Sequence, residues 1–232
     1  MPSTRSDNDN RNDHTLTVCP RRPGANPAET RTTMTRQLVL ASTSPFRREL
    51  LARLGLPFAT AAPQLDESAL PGEDAERLVV RLAEGKARAV AADFPDALII
   101  GSDQVAGLGG AILGKPGTRE RAIDQLTRAS GRTVVFRTGL CLLNAASGRA
   151  QTCCETFKVH FRELTAAQID AYVDREQPLG CAGSFKSEGL GIALFERLDG
   201  PDPNTLIGLP LIRLVDMLAA EGVDVLAEGA GG

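Results

Sequence analysis

Hydrophobic and polar positions switch between two periods along most of the chain, and the switches outline a set of elements. Leu38-Val39-Leu40-Ala41 is a short, continuously apolar run, the form a buried strand takes. Ser44-Pro45 follows as an N-cap and first helical position, opening a helix predicted through Leu54 and closed by Gly55. The spacing predicts a second helix from about Asp74 to Asp93, stopping before Pro95, and then an apolar strand from Ala97 to Gly101. Thr118 caps a third helix that reaches about Ala129. Two long strands, Thr133–Leu143 and Gln151–Arg162, flank Asn144-Ala145-Ala146-Ser147-Gly148, a hairpin loop. Helices over about 165–175 and 205–221 bracket a glycine-rich stretch, and no internal repeat is present. The fold class is therefore α/β with a mixed sheet flanked by helices, because at least one long hairpin interrupts the crossovers.

Residues 1–36 are polar, mixed in charge and without periodicity, which predicts a disordered tail ahead of a domain over 37–226. A second short disordered end is expected over 227–232. The tail has no apolar core of a secretory signal, its aspartates argue against a transit peptide, and Met34 is a second candidate start. The 232 residues, 42% of them hydrophobic, are enough for one large or two-lobed domain with a sizeable core. A net charge of −3 gives no global basic field, so nucleic acid is excluded as a partner and any anionic ligand must be small. No run reaches the roughly 18 apolar residues that a membrane span requires. The five cysteines (Cys19, Cys141, Cys153, Cys154 and Cys181) show no Cys-x-x-Cys spacing, which fits a reducing, cytoplasmic setting and argues against a zinc cage.

The histidines are only two, His14 in the tail and His160 on an alternating strand. This scarcity removes Ser-His-Asp and Cys-His mechanisms, and His-rich metal sites with them. Any hydrolysis here must rest on carboxylates, with an oxygen-liking divalent cation such as magnesium or manganese.

Three segments carry candidate chemistry. Ser42-Thr43-Ser44-Pro45-Phe46-Arg47-Arg48 joins a strand, a hydroxyl-rich turn and a helix N-terminus, which is either an anion site or an ordinary capped helix with two exposed arginines. On a wheel of about 100° per residue with Leu78 at zero, Leu82 lies at about 40°, Val79 at about 100° and Val90 at about 120°. Lys86 falls at about 80°, in the middle of that apolar stripe, whereas Arg77, Arg81 and Arg88 lie on the far side as surface charges. A lysine centred on a core face needs an anionic partner, unless it snorkels out at the stripe's edge. The third segment, Leu98-Ile99-Ile100-Gly101-Ser102-Asp103, delivers a carboxylate to a strand end, where it is placed to hold a metal, to accept a proton, or simply to form a turn. Asp66-Glu67 in a loop and Lys115 in the turn Gly114-Lys115-Pro116 add two weaker signals.

These segments, with Lys86-Ala87 and Pro203-Asn204-Thr205-Leu206-Ile207-Gly208-Leu209-Pro210-Leu211, stand in the order found in a known family. From about Leu38 to Leu226 the chain resembles the Maf family of nucleotide pyrophosphatases. The resemblance implies a two-lobed, inosine-triphosphatase-like α/β fold with the site in a central cleft, and a homodimer. It implies Asp103 as proton acceptor and, with Glu67, as metal ligand. Arg47, Lys86 and Lys115 would hold phosphate, with Ser42, Ser44 and Arg48 also on the substrate. Three positions depart from the commonest family pattern: Phe46 in place of arginine, Gln104 in place of threonine, and Glu188 in place of glutamine. Together they look like the subfamily acting on 7-methyl-GTP rather than on dTTP or UTP. N7-methylation makes guanine cationic, which suits an aromatic face and a carboxylate. The expected activity is hydrolysis of the α–β phosphoanhydride, which would clear modified nucleotides. The alternatives are a dTTP or UTP pyrophosphatase of the same family, or a non-catalytic nucleotide-binding regulator of septum formation.

Overall fold

The computed structural model describes residues 36–228. Seven strands form one mixed sheet: β1 (Leu38–Ala41), β2 (Phe58–Ala61), β3 (Leu98–Leu108), β4 (Ala111–Leu113), β5 (Thr133–Asn144), β6 (Arg149–Phe161) and β7 (Phe195–Asp199). Their order is β2-β1-β3-β5-β6-β7, with β4 folded back on β3. β2, β1 and β3 are parallel, and every pairing from β3 onward is antiparallel. The helices are α1 (Pro45–Ala52), α2 (Ala75–Ala89), α3 (Arg119–Ala129), α4 (Ala166–Glu176), α5 (Asn204–Ile207), α6 (Leu211–Ala220) and α7 (Val225–Glu228).

Strand alternation divides the core into layers. Leu38, Leu40, Leu98, Ile100, Leu140 and Leu142 point to one face and are covered by α1 and α6 through Leu50, Leu51, Leu214 and Leu218. Val39, Ile99, Cys141 and Leu143 point to the other face, where Ala83, Ala87 and Val90 of α2 and its C-cap pack on them. A third cluster fills the antiparallel part, between β5–β7 and helices α3 and α4. It includes Phe136, Phe161, Phe185 and Phe195, joined edge to face with ring centroids 4.8 to 5.5 Å apart.

The structure departs from the sequence pattern at four places. β3 does not end at Gly101; it continues to Leu108 because β5 pairs with it as far as Gly107. The helix expected over 205–221 is two helices, broken where Gly208 adopts φ +118° and Pro210 follows. The short strands β2, β4 and β7 had no clear alternation to mark them. The C-terminal end expected to lack order over 227–232 is entered by α7, and the remainder of it, like the tail over 1–35, lies outside the described residues. No helix among the described residues is long and apolar enough to cross a membrane. Cys141, Cys153, Cys154 and Cys181 are all free thiols, and burial pushes Cys141 up to about 12 and Cys153 and Cys154 to about 11.

Candidate active site

The site sits at a gap in the sheet. β1 pairs with β3 only from Leu98 to Ile100, and β4 pairs with the same edge only from Ala106 to Leu108. Between them the edge from Gly101 to Val105 carries no strand partner, and Asp103 stands at its middle. The chain leaving β1 turns away through Ser42, Thr43 and Ser44 into α1, so the gap opens beside a helix N-terminus.

Two glycines bring α2 onto the sheet here. A Cβ at Gly101 would lie 2.0 Å from the Ala83 carbonyl oxygen, and one at Gly139 would lie 2.0 Å from the Val79 carbonyl oxygen. Gly139 is directly opposite Asp103 in the β3–β5 ladder. Only residues without a Cβ allow this approach, which seats the apolar stripe of α2 against the strand and carries Lys86 with it. Lys86 is 6% exposed and Asp103 8%, and Lys86 Nζ donates to Asp103 Oδ1 at 2.7 Å. The same ammonium lies 2.9 Å from Glu67 Oε1, whose side chain is 60% exposed on the connection between β2 and α2. A buried lysine with two carboxylate partners is satisfied, and removing either buried partner would strand the other.

The residues on either side of Asp103 point to the opposite face and do different work. Ser102 Oγ donates to the Gly208 carbonyl at 2.9 Å, and Arg47 Nε donates to the same oxygen at 2.8 Å. Gln104 Nε2 donates to Thr138 Oγ1 at 2.9 Å and to the carbonyls of Thr205 and Leu206 at 2.7 and 3.2 Å. These bonds lock the turn over α5 against β3 and β5. Asp202, 3% exposed, fixes the start of that turn by accepting from Asn204 N at 2.8 Å and from Ile212 N at 2.9 Å. Arg47 is thereby oriented toward the gap. Its burial lowers the guanidinium pKa, and the charges of Asp103 and Glu67 offset part of that fall.

Around Asp103 the gap widens into a cleft of about 570 Å³. Ser42, Ser44, Phe46 and Arg47 line one side of it, with Lys115, Cys181 and Glu188 also on its wall and Phe136 and Phe185 among its apolar contacts. The far lip is braced from behind. Gln125 of α3 accepts from Ser184 Oγ at 2.5 Å and donates to the Gly114 carbonyl at 3.1 Å, tying the loop before Phe185 to the turn that carries Lys115. Farther along, Lys186 Nζ donates to the Glu176 carbonyl at 2.8 Å and Leu190 N to the Glu176 carboxylate at 2.9 Å, so α4 holds both sides of Glu188.

A carboxylate beside buried cations, under a cleft with room for a nucleotide, narrows the comparison with known proteins. The family model described as Maf-like protein matches residues 37–221, most of the chain. The chain belongs to the Maf-like family. A relative named 7-methyl-GTP pyrophosphatase from Nitrosococcus oceani is 64% identical over 189 residues, which is 82% of this chain and 95% of the relative. One of the same name from Pseudomonas aeruginosa is 60% identical over 188 residues, covering 81% of this chain and 98% of its own length. A third, from Vibrio vulnificus, is 59% identical over 190 residues, or 82% and 97% of the two chains.

Within this Maf-like fold most of the residues marked by sequence meet in one cleft. Ser42, Ser44, Phe46, Arg47, Glu67, Lys86, Asp103, Gln104, Lys115 and Glu188 all line it. Arg48 does not: it is exposed and absent from the lining, because one residue along a helix turns it about 100° from Arg47. Gln104 lines the cleft while its amide N–H groups donate to Thr138 and to the turn over α5. Arg81, read as a surface charge, is a half-buried anchor paired with Glu73. Phe136, Phe185 and Cys181 join the lining without a local sequence signal, although Phe185 shares the glycine-rich stretch of Glu188.

Proposed function

We propose that this protein hydrolyses nucleoside triphosphates to the monophosphate and pyrophosphate, with 7-methyl-GTP as its preferred substrate. The observation that carries the reading is the buried Lys86–Asp103 pair facing a cleft that also presents Arg47 and Lys115. The shared name of relatives about 60% identical over nearly their whole length supports the substrate.

In this reading the triphosphate lies along Arg47, Lys86 and Lys115, whose charges offset its own and the charge that builds on the leaving pyrophosphate. Asp103 accepts a proton from the water that attacks the α-phosphorus; the new bond is P–O, and the α–β bridging bond breaks with its electron pair leaving on pyrophosphate. Lys86, held to both carboxylates, orients Asp103. A divalent cation, magnesium or manganese, fits the donors present. Glu67 and Asp103, which reach Lys86 Nζ at 2.9 and 2.7 Å, would hold the cation through their carboxylate oxygens, and among the described residues no group of three or more His, Cys, Asp or Glu is placed to hold a metal ion. When bound, such a cation supplies further neutralisation of phosphate charge. At the base end, Phe46 offers an aromatic face and Glu188 an exposed carboxylate, the pair that suits a cationic methylated guanine.

The test is a nucleotide panel assayed for pyrophosphate release with magnesium and with manganese. The expected result is 7-methyl-GMP plus pyrophosphate, with kcat/KM at least about tenfold above GTP, dTTP and UTP, since each well-placed contact is worth on the order of 1–3 kcal/mol. Equal rates on dTTP and 7-methyl-GTP would contradict the substrate assignment, and orthophosphate as the product would contradict the reaction.

A further inference from the structure

Glu67 stands on a long, exposed connection, yet its carboxylate reaches the buried Lys86 at 2.9 Å. A carboxylate on such a segment holds one position only if the backbone around it is pinned, because an unpinned loop loses conformational entropy each time the contact forms. The pins come from the outer edge of α2. Arg81 Nε and one terminal nitrogen donate to the two oxygens of Glu73 at 2.6 and 2.7 Å, a bidentate fork. The same terminal nitrogen donates to the Ser68 carbonyl at 3.0 Å, one residue past Glu67. Glu73 in turn accepts from Leu70 N at 3.0 Å, and Asp66 accepts from Ser68 N at 2.9 Å. On the other side of Glu67, Leu65 lies against Gly85, where a Cβ would come within 2.8 Å of its side chain.

This arrangement differs from a surface ion pair. The Glu73 side chain is 7% exposed and that of Arg81 33%, whereas the ordinary i,i+4 pair Arg88–Glu84 on the same helix is 50% and 35% exposed. Arg81 and Lys86 also belong to one rigid helix. The element that presents the lysine therefore also fixes the loop that presents its outer carboxylate.

We propose that Arg81 and Glu73 are positioning residues for Glu67, acting on the reaction only through the placement of that carboxylate beside Lys86. The proposal rests on the reading above, in which Glu67 belongs to the pyrophosphatase site. It predicts a specific pattern of non-additivity, because an anchor that works through Glu67 has nothing left to do once Glu67 is disabled.

The experiment is a cycle in kcat/KM for pyrophosphate release from 7-methyl-GTP with the full chain: Glu67→Gln, Arg81→Met and the two together, with melting temperatures alongside. Arg81→Met is expected to lower kcat/KM about tenfold, the scale of a modest misplacement of a site group. The double variant is expected within about twofold of Glu67→Gln alone, while the melting temperature falls equally in both backgrounds. Glu73→Gln, which keeps shape and loses the charge, should repeat the pattern and serves if Arg81→Met does not fold. Independent, multiplying losses, or an Arg81→Met enzyme as active as wild type, would overturn the proposal. A Glu67→Gln enzyme at the wild-type rate would instead remove Glu67 from the site, and this inference with it, while leaving the pyrophosphatase reading intact.

Discussion

Lys86 and Asp103, 17 residues apart in sequence, form a 2.7 Å ion pair because α2 is allowed to touch the sheet at two glycines. The pair joins the apolar stripe of a helix to the stretch of β3 that pairs with β5 on one edge and has no strand partner on the other. Lys86→Met preserves the stripe and should leave a folded protein, but kcat/KM should fall about a hundredfold or more, the usual loss when one buried charge-stabilising donor is removed. Adding Asp103→Asn to that variant should raise its melting temperature, because the unpaired buried carboxylate is what costs stability. A fully active Lys86→Met enzyme would leave the pair as a packing device only.

Gly139→Ala tests how α2 is seated. Its new Cβ would lie 2.0 Å from the Val79 carbonyl, so the helix must move. Overpacking of this kind costs about 1–3 kcal/mol or more, and the displacement should also pull Lys86 from Asp103. A thermal melt and a kcat measurement on the same sample check both effects. An unchanged melt would mean that the helix sits less tightly than the contacts indicate.

The main outlines of this site are legible in the sequence, and the reasons are physical. Lys86 betrays itself because the helical period puts it inside an apolar stripe, and Ser44-Pro45 announces α1 through capping chemistry that is local. What is not legible depends on contacts between distant segments. The gap beside Asp103 exists because β1 stops and β4 starts too late, a fact of pairing and not of any local run. Gln104 is adjacent to Asp103 in sequence yet on the other face, where only the folded turn over α5 shows what its amide binds. Arg81 looks like any surface arginine until the loop returns to meet it.

Specificity should divide between these positions unequally. Phe46→Arg with Glu188→Gln should erase most of the preference for 7-methyl-GTP over dTTP while leaving phosphate contacts intact, a shift of about tenfold or more in relative kcat/KM. Gln104→Thr should behave differently. It removes bonds to Thr205 and Leu206 and is expected to cost about 1–3 kcal/mol of stability, with activity lowered on every nucleotide alike. If Gln104→Thr alone reversed the substrate order, Gln104 would select the base as well as hold the turn.

The Arg81–Glu73 pair should be visible in the acid limb of stability. The hydrogen bond from Arg81, helped by Leu70 N, lowers the Glu73 carboxyl from 4.5 to about 2. A depressed carboxyl pKa stabilises the fold above the unfolded value and loses that contribution as pH falls. The difference in melting temperature between wild type and Glu73→Gln should therefore be largest above pH 4.5 and shrink as pH falls toward about 2. Parallel curves through that window would mean the pair does not hold in solution.

The most direct measurement is pyrophosphate release from 7-methyl-GTP by Asp103→Asn, with nucleotide affinity determined on the same variant. The substitution keeps the shape of the side chain and removes its ability to take a proton. Turnover should fall by about a hundredfold or more, as loss of a general base typically brings, while Kd stays close to wild type and the melting temperature falls because buried Lys86 loses its charged partner. Activity within about tenfold of wild type would contradict the account, because Asp103 would then not be the group that accepts the proton.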